Sequence, residues 1–163
     1  MEQEIVKQNE EQLVVFELLG ETYGVDISTV REIIRMQVIT DVPKTPDFVE
    51  GVINLRGNVI PVIDLHKRFD LPLTEETQDS RIMVVETDGI IVGMIVDSVS
   101  EVLRIPKDNI DPPPPVFAGV DVSYLRGIGK LGEKLIVLLD MNKVLHEKEK
   151  KAIEEVILTE DLQ

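Results

Sequence analysis

The chain of 163 residues has no cysteine and no tryptophan, and only 4% of its residues are aromatic. Without cysteine it can form no disulfide and offers no thiolate for catalysis or metal binding. The core must therefore be aliphatic, and a hydrophobic content of 43% is enough for a packed interior. No apolar run approaches membrane-spanning length and the N-terminal segment has no apolar signal core, so we expect a cytoplasmic location.

Basic residues are also scarce. The chain has 17 Lys and Arg against 31 Asp and Glu, which gives a formal net charge of −14. A field of this sign repels nucleic-acid phosphates and anionic lipid, so we expect neither nucleic-acid binding nor membrane insertion. The few aromatic residues also give no stacking platform for single-stranded nucleic acid. The acidity could serve solubility alone, and by itself it identifies no partner.

What the chain does contain is an internal repeat. Residues 51–65 read G-V-I-N-L-R-G-N-V-I-P-V-I-D-L, and residues 127–141 read G-I-G-K-L-G-E-K-L-I-V-L-L-D-M, a degraded copy at an offset of 76. Upstream, residues 13–17 match residues 82–86 at a constant offset of 69. Glycines, an aspartate and apolar positions recur in register, which indicates an internal duplication.

Short apolar runs bounded by turn residues predict about five strands in each copy. Gly20-Glu21, Arg56-Gly57-Asn58 and Asp88-Gly89 are predicted hairpin turns, and Gly57 can supply the positive φ that such turns require. With few long helices, the pattern favours two small all-β barrels packed together. The expected units are a flexible N-terminal arm (1–12), a first barrel (13–80), a second barrel (81–145), and a C-terminal helix and tail (146–163).

Helices are predicted at several short positions. Residues 28–35 contain a capping box, T-x-x-E at 29–32, which recurs as S-x-x-E at 98–101. Asp64 is the predicted N-cap of a helix that ends at Phe69. A charged helix over about residues 142–158 should place Ala152, Ile153, Val156 and Ile157 against a barrel. Pro112–Pro115 predicts a stiff polyproline segment.

Asp64 and Asp140 are paired by the repeat, and two interpretations remain open for them. They could form a carboxylate dyad at a two-fold interface, as in aspartic proteases. Alternatively each caps a helix, which we favour because neither is followed by the Thr-Gly or Ser-Gly turn of such a dyad. A metal site at Asp64-Leu65-His66 is disfavoured, because the two histidines, His66 and His146, lie in no ligand cluster. A solvent-facing or capping role is expected for His66.

Two barrels side by side leave a groove between them. An aliphatic groove with a charged rim suits a helix or a helical hairpin of a partner. Candidate lining residues, each of which could equally be ordinary core, are Ile27, Val30, Val92 and Val99. Glu32 belongs to an exposed face that is either solvated surface or a recognition rim. Arg56 stands at the lip of an apolar hairpin, either as a structural clamp on carbonyl or carboxylate groups or as a partner contact.

The sequence G-V-I-N-L-R-G-N-V-I-P-V-I-D-L-H-K-R-F closely resembles the signature of the CheW family of chemotaxis adaptors. Y-G-V-D-I-S-T-V-R-E-I-I near the start and V-G-M-I-V-D-S-V-S-E-V-L in the second half resemble it too. The resemblance runs from about Leu13 to Leu145. It implies two tandem SH3-like five-stranded β-barrels with short connecting helices and a C-terminal helix.

The resemblance also implies a function. It implies a non-enzymatic scaffold without a cofactor, which links the cytoplasmic tip of methyl-accepting chemoreceptors to the regulatory domain of the histidine kinase CheA. Such a protein is cytoplasmic, associates with the membrane through receptor arrays, and is expected to make ring contacts with further copies. In the family the receptor hairpin occupies the groove and the barrel ends face the kinase. By matching position, the receptor-binding residues would be Ile27, Val30, Glu32, Val92 and Val99, and the structural or interface residues Arg56, Gly57 and Asp64.

Overall fold

The computed structural model describes residues 9–113, 123–145 and 147–161, with side chains at 147 and 156–161 left out of the description. Pro114 and Pro115 of the predicted polyproline segment, and residues 1–8 of the predicted arm, lie outside these ranges. Within them the strands are β1 (Glu10–Leu18), β2 (Glu21–Asp26), β3 (Val30–Arg35), β4 (Val49–Leu55), β5 (Asn58–Asp64), β6 (Arg81–Thr87), β7 (Ile90–Val96), β8 (Ser98–Pro106), β9 (Ile110–Asp111), β10 (Leu125–Leu131) and β11 (Lys134–Leu139). The helices are α1 (Leu65–Arg68), α2 (Met141–Val144) and α3 (Glu147–Asp161). The predicted all-β class, with short connecting helices and a C-terminal helix, is confirmed.

The strands form two sheets, each curled into a barrel. Barrel A has the order β8-β1-β2-β11-β10-β9, and barrel B has the order β3-β6-β7-β5-β4. Barrel A closes because β9 follows β8 through the turn Lys107–Asn109, so one stretch of chain supplies both ends of the sheet. Barrel B closes in the same way, since Thr40, beyond the end of β3, pairs with Val52 of β4.

The barrels do not coincide with the two copies of the repeat. Barrel B is built from strands within residues 30–96, whereas barrel A combines strands from residues 10–26 and 98–139. The expected units, residues 13–80 and 81–145, therefore delimit the sequence copies and not the barrels. Each copy crosses from one barrel to the other after its first hairpin, at residues 27–29 and at Asp97. The arm expected over residues 1–12 is also too long, because β1 begins at Glu10.

Three hairpins turn through two-residue loops of the same kind. Leu19-Gly20, Arg56-Gly57 and Asp88-Gly89 all have positive φ at both residues, as type I′ turns require. The first turn is thus one residue earlier than predicted and the second is one residue shorter, since Glu21 and Asn58 already belong to strands. At the second turn the Asn54 side chain accepts a hydrogen bond of 2.8 Å from the Gly57 N–H, which fixes the loop from within.

The repeated glycines Gly51 and Gly127 lie where the barrels close. A Cβ on Gly51 would be 2.1 Å from the Thr40 carbonyl oxygen, and a Cβ on Gly127 would be 2.5 Å from that of Asp111. Gly51 also has a φ of +147°. Only glycine lets the closing segment approach the neighbouring strand this closely at both sites. Strand β4 begins at Val49 and runs through Gly51.

Three apolar clusters hold the molecule together, one inside each barrel and one between the barrels. Leu13 and Val15 of β1 point into barrel A, while Val14 and Phe16 point towards barrel B. β6 repeats this alternation in barrel B. Strands buried on both faces read as continuous apolar runs, which explains L-V-V-F in β1 and I-M-V-V in β6. The cluster between the barrels, called the inter-barrel cluster below, contains buried side chains that include Val14, Phe16, Val25, Met83, Val85, Val92, Met94, Val144 and Ile153.

The helix predicted over Ser28–Arg35 is wrong. The segment starts as a 3₁₀ turn, Ile27–Thr29, and continues as β3, in which half-buried and exposed residues alternate. The matching S-x-x-E motif at 98–101 likewise lies in a strand, β8. The capping-box pattern was misleading because Asp26, not Thr29, caps the 3₁₀ turn by accepting a hydrogen bond of 2.8 Å from the Ser28 N–H. Beyond it, pairing with β6 and the β-branched residues favour the extended backbone.

The C-terminal segment forms two helices where one was predicted. α2 begins at the predicted cap Asp140, and α3 follows and lies against β5 of barrel B. Ile153 is fully buried in the inter-barrel cluster, whereas the side chains of Val156 and Ile157 lie outside the description. The buried Lys150 side chain ties α3 to Asp88 in the β6–β7 turn. No helix in the described ranges is long and apolar enough to cross a membrane.

Candidate functional site

The candidate surface lies where the inter-barrel cluster reaches solvent. Ile27, Val30 and Val99 are half-buried and pack against the rim of this cluster. Val30 sits opposite Val85 of β6, and Val99 sits opposite Phe16 of β1. β3 and β8 are the edge strands of barrels B and A, so the repeat places an equivalent valine on each edge. Three of the predicted groove residues thus share the border of one apolar cluster.

Val92 differs from the other predicted groove residues. Its side chain has no exposed surface and lies inside the inter-barrel cluster. A side chain buried in this way cannot contact a partner unless the barrels separate. Val92 is therefore a core residue, and we remove it from the set of receptor-contact candidates.

Two further apolar residues on these edges escaped the sequence analysis. Ile33 is 40% exposed and Val102 is 53% exposed, and they are equivalent by the offset of 69. Ile33 pairs with Met83 and Val102 pairs with Val14, so both lie on the sheet faces that border the inter-barrel cluster. The helix predicted over residues 28–35 concealed the alternation of exposed and half-buried residues in β3. A period of two along each segment would have identified both residues.

The predicted rim residue Glu32 is paired with Arg56. The Arg56 guanidinium at the tip of the β4–β5 hairpin donates a hydrogen bond to the Glu32 carboxylate on β3. This hydrogen bond, together with the charge of Glu32, raises the pKa of Arg56 above its usual value. The pair is solvent-exposed, so it contributes little to stability and mainly orients the hairpin tip towards β3. Of the two roles expected for Arg56, this geometry matches the clamp on a carboxylate.

His66 is a buried titratable side chain in α1, directly after β5, with 2% of its surface exposed. Its Nδ1 lies 2.8 Å from Asp64 Oδ1, and its Nε2 lies 3.0 Å from Asp97 Oδ1. Each ring nitrogen thus has a carboxylate oxygen within hydrogen-bond distance. Thr74 adds a contact of 3.2 Å to the same Asp97 oxygen. Of the solvent-facing and capping roles expected for His66, this burial excludes the first.

This arrangement joins parts of both sequence copies. Asp64 and His66 belong to the β5–α1 junction, whereas Asp97 lies at the second crossing between barrels and also accepts a hydrogen bond of 2.8 Å from the Leu19 N–H. Nearby, Lys67 is hydrogen-bonded to Glu50 at 2.7 Å, which raises the pKa of Lys67. The His66 ring stands between the two carboxylates. Within the described ranges no group of three His, Asp or Glu side chains is arranged to hold a metal ion.

Asp64 and Asp140 are helix caps. Each side chain accepts a hydrogen bond from the backbone N–H two residues later, at 2.9 Å for His66 and 3.0 Å for Asn142. The two carboxylates line different cavities of the surface. The capping interpretation is confirmed, and the described geometry brings the pair into no common cleft.

The two caps should differ in strength, because only Asp64 also holds a buried imidazole. Asp140→Ala is expected to lower the free energy of unfolding by about 1 kcal/mol, the usual cost of a lost N-cap. Asp64→Ala should cost about 2–3 kcal/mol, since it also removes a charged hydrogen-bond partner of His66. Urea denaturation of both variants measures the difference. Equal losses would contradict a role of Asp64 in holding His66.

Comparison with known proteins identifies the family. The model of the CheW-like domain matches residues 12–149. The chain belongs to the CheW-like family. It is 38% identical over 136 residues to the chemotaxis protein CheW of Bacillus subtilis, covering 83% of this chain and 86% of that protein. It is 35% identical over 142 residues to the chemotaxis protein CheW of Treponema pallidum, covering 85% of this chain and 84% of that protein.

A solved structure agrees with this assignment. The crystal structure of the scaffolding protein TtCheW from Thermoanaerobacter tengcongensis matches with a TM-score of 0.78 and 43% sequence identity, over 85% of this chain and 94% of that one. The fold of two SH3-like barrels is thus that of the CheW-like family, and the matched solved structure is that of a scaffolding protein. A role as a chemotaxis adaptor follows from family membership. Most of α3 lies beyond the residues that the family model matches.

Proposed function

We propose that this chain is a non-enzymatic adaptor that couples the cytoplasmic tip of a methyl-accepting chemoreceptor to the histidine kinase CheA. The receptor hairpin would lie along the rim of the inter-barrel cluster, and the kinase regulatory domain would bind the outer ends of the barrels. The adaptor would then work in the cytoplasm within receptor arrays, with ring contacts between copies as a further expectation. No cofactor is required for such a role.

The observation that supports the receptor site is the apolar rim itself. Val30 and Ile33 on β3, and Val99 and Val102 on β8, leave part of the inter-barrel cluster accessible at the edge strand of each barrel. A helix that lays apolar residues against such a rim buries them without disturbing either barrel. The paired Glu32 and Arg56 beside β3 add a polar margin, which suits the edge of a protein–protein contact.

The substitution Val30→Arg tests the receptor site. It is expected to weaken binding of a receptor cytoplasmic-tip fragment about tenfold or more, because a charged side chain would replace an apolar contact at the centre of the rim. Val30 is only half-buried, so the long arginine side chain can extend into solvent and the barrel should stay folded. Calorimetric titration gives the affinity, and circular dichroism checks the fold.

Leu135→Arg is the matched control. Leu135 is 59% exposed, and it lies on β11 of barrel A, which β1 and β2 separate from the edge strand β8. The control should bind the receptor fragment as the unmodified protein does, and both variants should still bind the isolated kinase regulatory domain. Unchanged receptor affinity in a folded Val30→Arg protein would refute this site. Loss of binding to both partners would refute the proposal that they occupy separate surfaces.

A further inference from the structure

Most arginines whose contacts are described face a carboxylate. Arg31 is paired with Glu86, Arg56 with Glu32, Arg68 with Glu149, and Arg126 with Glu11. Arg35 and Arg81 are different. Arg35 makes no hydrogen bond or ion pair with any residue that the structure describes, and Arg81 hydrogen-bonds only backbone carbonyls there. In a chain with a net charge of −14, two arginines without a carboxylate partner are unexpected.

These two arginines are direct neighbours. Arg35 ends β3 and pairs with Arg81 at the start of β6, so both side chains project from the same face of barrel B. Like charges placed opposite each other across two strands repel and destabilise the pair. Among the described residues no hydrogen bond or ion pair from either arginine to a carboxylate offsets this repulsion. The cost is therefore best explained by an anion that binds both groups at once.

The Arg81 side chain is held in place by the backbone beside it. Arg81 Nη1 donates hydrogen bonds of 2.8 Å to the carbonyls of Gln78 and Ser80, which fixes the guanidinium while its other N–H groups stay available. The turn that carries these carbonyls is itself held by a hydrogen bond of 2.9 Å from the Thr77 N–H to Ser80 Oγ. Both arginines line an open cleft of about 480 Å³.

The cleft continues the apolar rim. Alternation along β3 puts Arg35 on the same face as Ile33, and alternation along β6 puts Arg81 on the same face as Met83 of the inter-barrel cluster. A partner helix with an apolar residue on Ile33 would thus reach the arginine pair about one helical turn, or roughly four residues, further along. Glu76 and Asp79 also line the cleft, but neither forms an ion pair with Arg35 or Arg81.

We propose that Arg35 and Arg81 together bind a carboxylate of the docked partner helix, an Asp or Glu beside the apolar residue that contacts Ile33. This inference rests on the proposed function and adds the chemical class of the partner residue at one end of the site. Two guanidinium groups suit a carboxylate because each can offer parallel N–H donors to its oxygens. The local positive pair also lets a strongly acidic adaptor accept an acidic segment.

The test is Arg35→Glu, measured against a receptor cytoplasmic-tip fragment by calorimetric titration at low and moderate salt. Binding should weaken about tenfold, because the new carboxylate neutralises Arg81 and repels the partner's carboxylate. The same change should not lower the melting temperature, since it replaces a repulsive cross-strand pair by an attractive one. A loss of affinity without a loss of stability separates recognition from a structural role.

Lys107→Glu is the matched control, with the same change of charge at an exposed residue in the turn between β8 and β9 of barrel A. It should leave receptor affinity unchanged. Lysine substitutions at single acidic residues of the receptor fragment should include one that restores binding to the Arg35→Glu protein. If Arg35→Glu binds as tightly as the control while Val30→Arg binds weakly, the carboxylate site is refuted and the adaptor function stands. If neither change affects binding, the proposed receptor site fails as well.

Discussion

Replacing Gly51 with alanine is expected to lower the free energy of unfolding by about 3–5 kcal/mol, a large share of the stability of a typical domain. The added methyl group would lie 2.1 Å from the Thr40 carbonyl oxygen, far inside van der Waals contact. Relief requires the chain at Thr40 to move away from β4, which breaks the hydrogen bonds of 2.8 and 2.9 Å between Thr40 and Val52. These bonds close barrel B, so the damage spreads to the whole sheet. Thermal and urea denaturation measure the loss.

Gly57→Ala is the control for backbone strain alone. Gly57 also has positive φ, at 90°, but a Cβ there would meet nothing within 4 Å. It should cost only about 1–2 kcal/mol, from the unfavourable backbone conformation. Gly127→Ala, at the equivalent closure of barrel A, should again cost several kcal/mol by the overpacking argument. A Gly51→Ala protein no less stable than Gly57→Ala would show that closure at Thr40 is not rigid.

The second large effect is expected for His66→Ala, with a loss of about 2–4 kcal/mol in the free energy of unfolding. Removing the ring leaves Asp64 and Asp97 facing a small cavity without the group that separates and hydrogen-bonds them. Deleting one partner of a buried hydrogen-bonded group costs more than the bond contributes, because the remaining polar groups stay desolvated without a partner. Asp97 is partly exposed, which keeps the expected loss below that of a fully buried pair. Urea denaturation near neutral pH measures it.

A double-mutant cycle with Asp97→Ala isolates the contribution of the contact between His66 and Asp97. The two single losses should not add, and the coupling free energy should be about 1 kcal/mol or more for residues in direct contact. Asp97→Ala alone should also loosen the β1–β2 turn, because Asp97 accepts the Leu19 N–H. Additive losses would contradict the joining of both sequence copies through this histidine.

The sequence predicted the hairpins well because their signals are local. Turn residues such as Asp88-Gly89 determine a two-residue loop whatever the rest of the chain does, and Asp64 caps α1 through its own backbone neighbours. The helix over Ser28–Arg35 was mispredicted because its capping-box motif is also compatible with a strand. There the decision depends on pairing with β6, about fifty residues away, which no local pattern reveals.

The candidate site was predicted in part for the same reason. Val30 and Val99 were found through apolar character and the repeat, and the structure places both at the rim. Val92 has the same character but faces the interior, and only the packing of two barrels distinguishes the cases. Arg35 and Arg81 could not be paired from sequence, because their opposition across β3 and β6 arises from the register of two distant strands. The assignment of strands to barrels could not be predicted either, because a repeat shows which segments are equivalent but not which strands pair with each other.

In sequence, all strands of barrel B lie between the second and third strands of barrel A, and this order affects how the protein folds during synthesis. The β1–β2 hairpin leaves the ribosome first, but its neighbouring strands β8 and β11 are synthesised later. Barrel B can be complete once Val96 has emerged, whereas barrel A waits for Leu139. During that interval the nascent chain carries Val14 and Phe16 on an unfinished hairpin, with the finished barrel B as the apolar surface at hand. Co-translational folding thus begins in the middle of the chain. The β1–β2 hairpin, although synthesised first, is the last to acquire all its neighbouring strands.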